Sequence, residues 1–206
     1  MILYELVGGE EHPYYRNLEI SNLNRQYDFL RSIVQTAIDV KRPFLSAHII
    51  KALNCQAITC LHTNAGEYRP CPVKVGKHKP PEHYRVEALM EDFINEVNRN
   101  WENTDPVYLS AYVLWRLNYI HPFINGNGRT ARAACYFVLC VKSNGWLSGD
   151  TILPELIRRE RDRYVEALRK TDKSIRDGEL DINKLVILLS ELLSEQLKEL
   201  SVKESK

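Results

Sequence analysis

The sequence predicts an all-α fold, and three observations carry that prediction. Apolar residues recur at the three- and four-residue spacing of one helix face through most of the chain. Helix-start and helix-stop residues (Ser46, Thr104 before Pro106, Asn144-Gly145, Asp181) stand at the edges of those runs. Residues 64–79 alone mix β-formers with turn residues, and they read either as an ordinary surface loop, which composition alone favours, or as a short, irregular hairpin or extended flap.

Residues 1–18 read as irregular, because Gly8-Gly9 and Pro13 interrupt any regular element, with Tyr14, Tyr15 and Leu18 packing on the main body. Leu23, Tyr27, Leu30, Val34, Ala37 and Ile38 predict a helix over 20–40, ended by Arg42-Pro43. Ser46 caps the next one, with Ile49, Ile50, Leu53, Ala57, Ile58 and Leu61 inward. Val86, Leu89, Met90, Phe93, Ile94 and Val97 predict a helix over 82–100. Thr104 is the expected N-cap of an almost continuously apolar helix reaching about 119, which should be central and buried on most sides. A polar loop, 121–128, leads into a second apolar helix, 129–144. A helix over 154–170 carries Arg158, Arg159, Arg161, Arg163 and Arg169. Asp172 to Gly178 then reads as a polar turn, and Asp181 caps a last helix over 182–200, beyond which 202–206 frays. The chain divides into an N-terminal helical segment (1–44), a core domain (45–170) and a C-terminal helix packed on that core (171–206).

Composition bounds the function. A chain of 206 residues can bury a full core. The 28 basic and 27 acidic residues leave a net charge of +1, which gives no electrostatic case for nucleic acid or an anionic membrane. No apolar run approaches a membrane span, and the first residues lack the basic flank and cleavage site of a signal peptide. Cys55, Cys60, Cys71, Cys135 and Cys140 have no CxxC spacing and read as reduced, mostly buried thiols of a cytoplasmic protein. Cys71, His78 and His83 match no known zinc spacing.

The chemistry concentrates in residues 121–132, His-Pro-Phe-Ile-Asn-Gly-Asn-Gly-Arg-Thr-Ala-Arg. Pro122 disfavours the helical region for His121, so the apolar helix ends on an imidazole. Gly126 and Gly128 flank Asn127 and suit a tight loop with positive φ angles. Such a loop turns backbone N–H groups toward one point, and the N-terminus of the next helix adds partial positive charge there. Arg129 and Arg132, three apart, should project from one face of its first turn. A base, an anion nest and two guanidinium groups describe a polyphosphate site with a proton acceptor beside it.

The string resembles the signature of the Fic family, His-x-Phe-x-[Asp/Glu]-Gly-Asn-Gly-Arg-x-x-Arg, and departs from it only at Asn125. Gly66 to Pro81, with Gly-x-Tyr-Arg followed by Val73-Lys74-Val75-Gly76, His78 and Pro80-Pro81, is similar to the substrate flap of that family. The resemblance covers about residues 45–170. It implies a Fic-type helical bundle with a small β-hairpin flap over the active site. It implies transfer of AMP from ATP to a Ser, Thr or Tyr hydroxyl of a target protein, with His121 as general base and Phe123 holding the loop from the core. Asn127 and the amides of Gly126 and Gly128 would cradle the α- and β-phosphates. Arg129 and Arg132 would hold the β- and γ-phosphates, and Tyr164 would border the adenine. The target would pair with residues 67–76, with Tyr68, Val73, Lys74 and Val75 as its contacts. Mg²⁺ binds the usual acid of the motif, so Asn125 is a weaker ligand, and Asn125→Asp should lower the Mg²⁺ requirement without disturbing the fold. The alternatives are a catalytically weak nucleotide-binding or protein-interaction module, because of Asn125, and a phosphotransferase. The inhibitory pattern [Ser/Thr]-x-x-x-Glu-[Gly/Asn] is not matched: Glu102-Asn103 follows Asn98 and lies between flap and motif. A separate protein supplies inhibition, or none is needed. A homodimer is compatible with the sequence.

Overall fold

The computed structural model describes residues 2–41 and 44–203. The proposed stop at Arg42-Pro43 and the frayed end at 204–206 lie outside the described residues. The fold is helical as predicted: α1 (Leu3–Val7), α2 (Pro13–Asp39), α3 (Ala47–Ile58), α4 (Val86–Arg99, led in by a short 3-10 turn, His83–Arg85), α5 (Pro106–Ile120), α6 (Asn127–Lys142), α7 (Leu153–Arg159), α8 (Arg161–Arg176) and α9 (Asn183–Lys203). No helix of the described residues is long and apolar enough to cross a membrane.

α5 and α6 form the centre. From Leu109 to Trp115 every residue of α5 is buried, and from Ala133 to Val141 every residue of α6. α2 and α3 pack on α6 from one side, while α4, α8 and α9 pack on α5. Truncating a central side chain such as Leu114 or Phe137 to Ala belongs to the class of change that costs about 2–5 kcal/mol. The loop between the two helices therefore has a rigid base.

Several boundaries differ from the sequence reading. Pro13 begins a helix rather than breaking one: it occupies the first turn of α2, where its missing N–H is no loss, and the His12 ring accepts from the Tyr14 N–H at 3.2 Å. Asp105, not Thr104, caps α5, its carboxylate accepting from the N–H groups of Val107 and Tyr108, both at 2.9 Å. The helix expected over 154–170 is broken at Glu160 (ψ 35°) into α7 and α8, and α8 runs through the supposed turn to Arg176. Ile175, seven residues beyond Leu168, continues the apolar stripe that holds it. Ser46 and Asp181 act as predicted, accepting from the N–H groups of Ile49 and Asn183. Only Cys135 and Cys140 are buried; Cys60 and Cys71 are exposed.

The β-hairpin flap is not formed. Residues 67–82 make a single isolated antiparallel bridge, Val75 with His78, around a turn at Gly76 (φ +52°). Pro70, Pro72, Pro80 and Pro81 lie on both sides of that turn and cannot donate to a ladder, so pairing cannot spread. The segment is an extended flap held by side chains. Arg69 is buried and holds its root: Nε donates to the His121 carbonyl (2.8 Å), one terminal nitrogen to the Cys71 carbonyl (3.2 Å) and the other to the Pro81 carbonyl (2.5 Å). Its backbone N–H donates to the Pro122 carbonyl (2.8 Å). His78 holds the tip, with Nε2 2.8 Å from the Tyr119 carbonyl and Nδ1 3.2 Å from an Asp172 oxygen.

Candidate active site

His121 closes α5 in the left-handed conformation (φ 53°, ψ 60°), with its N–H returned to the Leu117 carbonyl. Pro122 forbids a further helical turn. This geometry turns the imidazole toward a cavity of about 950 Å³. Burial holds the His121 pKa down to about 4, against a smaller opposing effect of the Asn118 carbonyl; His78 and Arg69 also lower it. His121 is therefore neutral near neutral pH, as a proton acceptor must be.

The same cavity is lined by Gly128 and Arg132 of α6, Asn118 and Tyr119 of α5, Tyr164 of α8 and Val75 of the flap. Arg132 lines this space, and its buried Nε has no hydrogen-bond partner. A Cβ on Gly128 would stand 3.3 Å from an Arg132 terminal nitrogen, so the glycine leaves room for the guanidinium beside the helix start. The N–H groups of the first turn of α6 have no intrahelical acceptor and carry the positive end of the helix dipole. Tyr164 is buried, accepts from the Asn118 amide at 2.7 Å, and has its pKa raised by burial.

The motif does not act as one cluster. Gly128 is helical rather than a positive-φ loop residue; Gly126 alone takes that conformation (φ +76°). The Asn127 side chain is spent on the loop itself, accepting from the Phe123 N–H (2.9 Å) and donating to the Phe123 carbonyl (2.8 Å). It is a brace, leaving only its backbone N–H for an anion. Phe123 is fully buried, as expected. Arg129 and Arg132 part company. Arg129 turns toward α2 and α3, pairing with Glu19 at 2.9 Å and donating to the Ala57 carbonyl at 3.2 Å. Three residues leave side chains roughly 60° apart on a helix, enough for a helix wedged between two layers to send them to different sides. Tyr68 packs on Phe123 (centroids 5.7 Å apart) under the Lys51 ammonium, not outward toward a target. Val73 and Val75 are half-buried and Lys74 exposed, and all three line a small cavity of about 180 Å³ beneath the flap.

Asn125 also faces away from the large cavity. Its Oδ1 accepts from the Gly126 N–H (2.6 Å) and from Arg129 (2.9 Å). Its Nδ2 donates to Glu10 (3.0 Å) and lies 2.9 Å from His62 Nε2. The one oxygen that could ligate a cation already faces a guanidinium, and the described residues contain no group of three His, Cys, Asp or Glu suited to a metal. These donors do not fit Mg²⁺. The His62 pKa is lowered by burial, and the neutral ring can accept from Tyr15 OH at 2.8 Å and from Asn125. Asn125→Asp would replace the donor by a carboxylate oxygen beside Glu10. The expected outcome is an unchanged Mg²⁺ midpoint in any transfer assay, a raised His62 pKa by NMR titration, and a loss of about 1 kcal/mol in urea unfolding at neutral pH. A lower Mg²⁺ midpoint with unchanged stability would restore the ligand role.

Sequence reasoning missed Asn54 and Asp172 as supports of the site and placed Arg69 and His78 only in the flap pattern. Asn54 is fully buried and donates to the Asn125 carbonyl (2.9 Å) and Thr130 hydroxyl (3.2 Å) while accepting from the Gly66 N–H (3.0 Å). Arg69 and the His78–Asp172 pair tie the flap to the site from far away in sequence. A polar residue inside the apolar stripe of α3 was the one available signal for Asn54.

The helical packing is that of a Fic-type fold. The fold matches a Fic-domain-containing signaling protein of Bacteroides thetaiotaomicron (TM-score 0.69, 22% identity, covering 88% of this chain and 71% of that one). It matches a Fic family protein of Desulfovibrio desulfuricans G20 (TM-score 0.71, 21% identity, 98% of this chain and 59% of that one) and Fic-1 residues 134–508 of C. elegans (0.71, 19%, 91% and 52%). Residues 44–139 match the model of the Fic/DOC family. Over 68 residues it is 43% identical to proteins named protein adenylyltransferase Fic from Drosophila grimshawi and Drosophila persimilis. That stretch is 32% of this chain and only 14% and 13% of those proteins.

Proposed function

We propose that the chain transfers AMP from ATP to a hydroxyl of a target protein: the hydroxyl oxygen bonds to the α-phosphorus as the bond to the β-phosphate breaks, pyrophosphate leaves, and His121 takes the hydroxyl proton. The observation that carries this reading is the single cavity that joins a neutral His121 to Arg132 and the start of α6. The names of the partly aligned relatives support the reaction class. In this scheme Arg132 and the first-turn amides of α6 hold phosphate oxygens, and Tyr164 with Asn118 borders the base. Positioning and charge neutralisation do most of the work in such a transfer. No step is routed through a metal bound by Asn125. The test is incubation of the protein and a cell lysate with ATP labelled at the α-phosphate, followed by mass spectrometry of labelled proteins. A labelled hydroxyl supports the reading, and ATP binding with no label on any protein contradicts it.

The turned-away Asn125 and Arg129 favour one second reading, a nucleotide-binding module of low activity. In both readings Arg132 meets the terminal phosphates. Arg132→Ala should weaken ATP binding by about 1.5–3 kcal/mol and AMP binding by much less. Equal losses for both nucleotides in calorimetry would remove Arg132 from that role.

A further inference from the structure

The large cavity holds more positive charge than a nucleotide beside Arg132 would use. Arg161, Arg169 and Arg176 of α8 line it, and the flap adds Lys77 and Lys79. None of these five has a carboxylate within ion-pair distance among the described residues, whereas Arg163 and Lys173 on the same helix are both paired. The one acidic lining residue, Asp172, is already engaged by His78 and by the Trp115 N–H (3.0 Å). Arg161 and Arg176 stand roughly 22 Å apart at the helical rise of 1.5 Å per residue. The two ends of this track differ. Arg132 is within electrostatic reach of Tyr164, one turn from Arg161, while Arg176 is within reach of His78 in the flap. The Arg169–Arg176 end therefore lies on the flap side, away from the helix start that would hold phosphate. Val75, Val165 and Leu168 give it apolar flanks.

We propose that Arg169 and Arg176, with Lys77 and Lys79 of the flap, form a docking track for an extended, acidic segment of the protein that receives the transferred group. The inference rests on the transferase reading of this cavity and names the chemistry of its target. Seven helical residues separate the two arginines by about 10 Å. A segment in the extended polyproline II conformation rises about 3.1 Å per residue with three residues per turn, so two acidic side chains three residues apart share one face about 9 Å apart and match that spacing. Five basic side chains gathered in one cavity, in a chain of net charge +1 with no broad basic surface, favour a peptide over a nucleic acid.

The test is fluorescence anisotropy with a labelled peptide carrying one Ser and two Glu three residues apart, beside its Gln counterpart. The Glu peptide should bind at least roughly tenfold more tightly, and Arg169→Glu and Arg176→Glu should each weaken it about tenfold. Arg159→Glu, on an exposed residue outside the cavity, should leave binding unchanged, and ATP affinity by calorimetry should be unchanged in both cavity variants. Equal binding of the Gln peptide, indifference to the reversals, or stronger binding of a single-stranded oligonucleotide would overturn the proposal. Transfer from ATP without discrimination between the peptides removes the track alone. Peptide discrimination without transfer leaves the track and removes the transferase reading.

Discussion

His121→Ala should lower AMP transfer by roughly two to four orders of magnitude, the usual contribution of a general base, while ATP binding persists. The residue sits at φ 53°, which Ala tolerates poorly and Asn tolerates well, so His121→Asn is the matched variant that preserves the backbone. Equal losses in both variants, with unchanged unfolding midpoints, assign the effect to the imidazole. Transfer at the original rate in the Asn variant would refute the assignment. The pH profile is a second reading of the same group. With the pKa held down to about 4, the acid limb of kcat/KM should fall near pH 4 rather than near 6.5. Stability carries the opposite half of the linkage. The unfolded chain binds a proton at His121 near pH 6.5 that the folded chain refuses, so this contribution is present above 6.5 and is lost as pH falls toward 4. His78 runs the other way: its pKa is raised, first by the Asp172 hydrogen bond, so its contribution is full below 6.5 and disappears as pH rises through the folded value.

A large stability effect is expected at the motif loop itself, from Gly126→Ala. Gly126 has φ +76°, and an added Cβ would meet Ile58 Cγ2 at 2.5 Å and Asn54 Nδ2 at 3.0 Å. Both neighbours are fully buried on α3, and Asn54 also holds the Asn125 carbonyl and Gly66. Neither can yield without breaking the link between α3 and the motif loop. Left-handed strain and overpacking together should cost about 2–4 kcal/mol. Urea unfolding of the variant measures it. Gly128→Ala is the contrast: that residue is helical and its added Cβ meets only the mobile end of Arg132 at 3.3 Å, so the fold should hold while phosphate binding changes. A Gly126 variant as stable as the parent would mean that the loop is not held against α3 in this way.

The helical architecture was legible because burial and periodicity agree in α3, α4, α5 and α6. α5 and α6 are so apolar that no other placement than the centre satisfies them. The loop 121–128 was legible as a boundary because Pro122 and Gly126 act locally on the backbone. What the sequence could not show is where side chains of that loop point. Asn125 and Arg129 turn to α2 and α3 because Glu10, Glu19 and His62 wait there, and residues 1–18 were read as irregular. Arg129 and Arg132 looked equivalent by spacing, and only packing on both sides of α6 separates them. The flap failed as a hairpin because its prolines outweigh its valines. Asp172 fell in a supposed turn because the polar residues around it hid the stripe that ends at Ile175.

The most direct measurement compares ATP labelled at the α-phosphate with ATP labelled at the γ-phosphate, with the parent protein and His121→Asn side by side in the same lysate. The account predicts protein-bound label from the α position only, lost in the variant although both proteins bind ATP. Label from the γ position, or α-label that survives in His121→Asn, would contradict it.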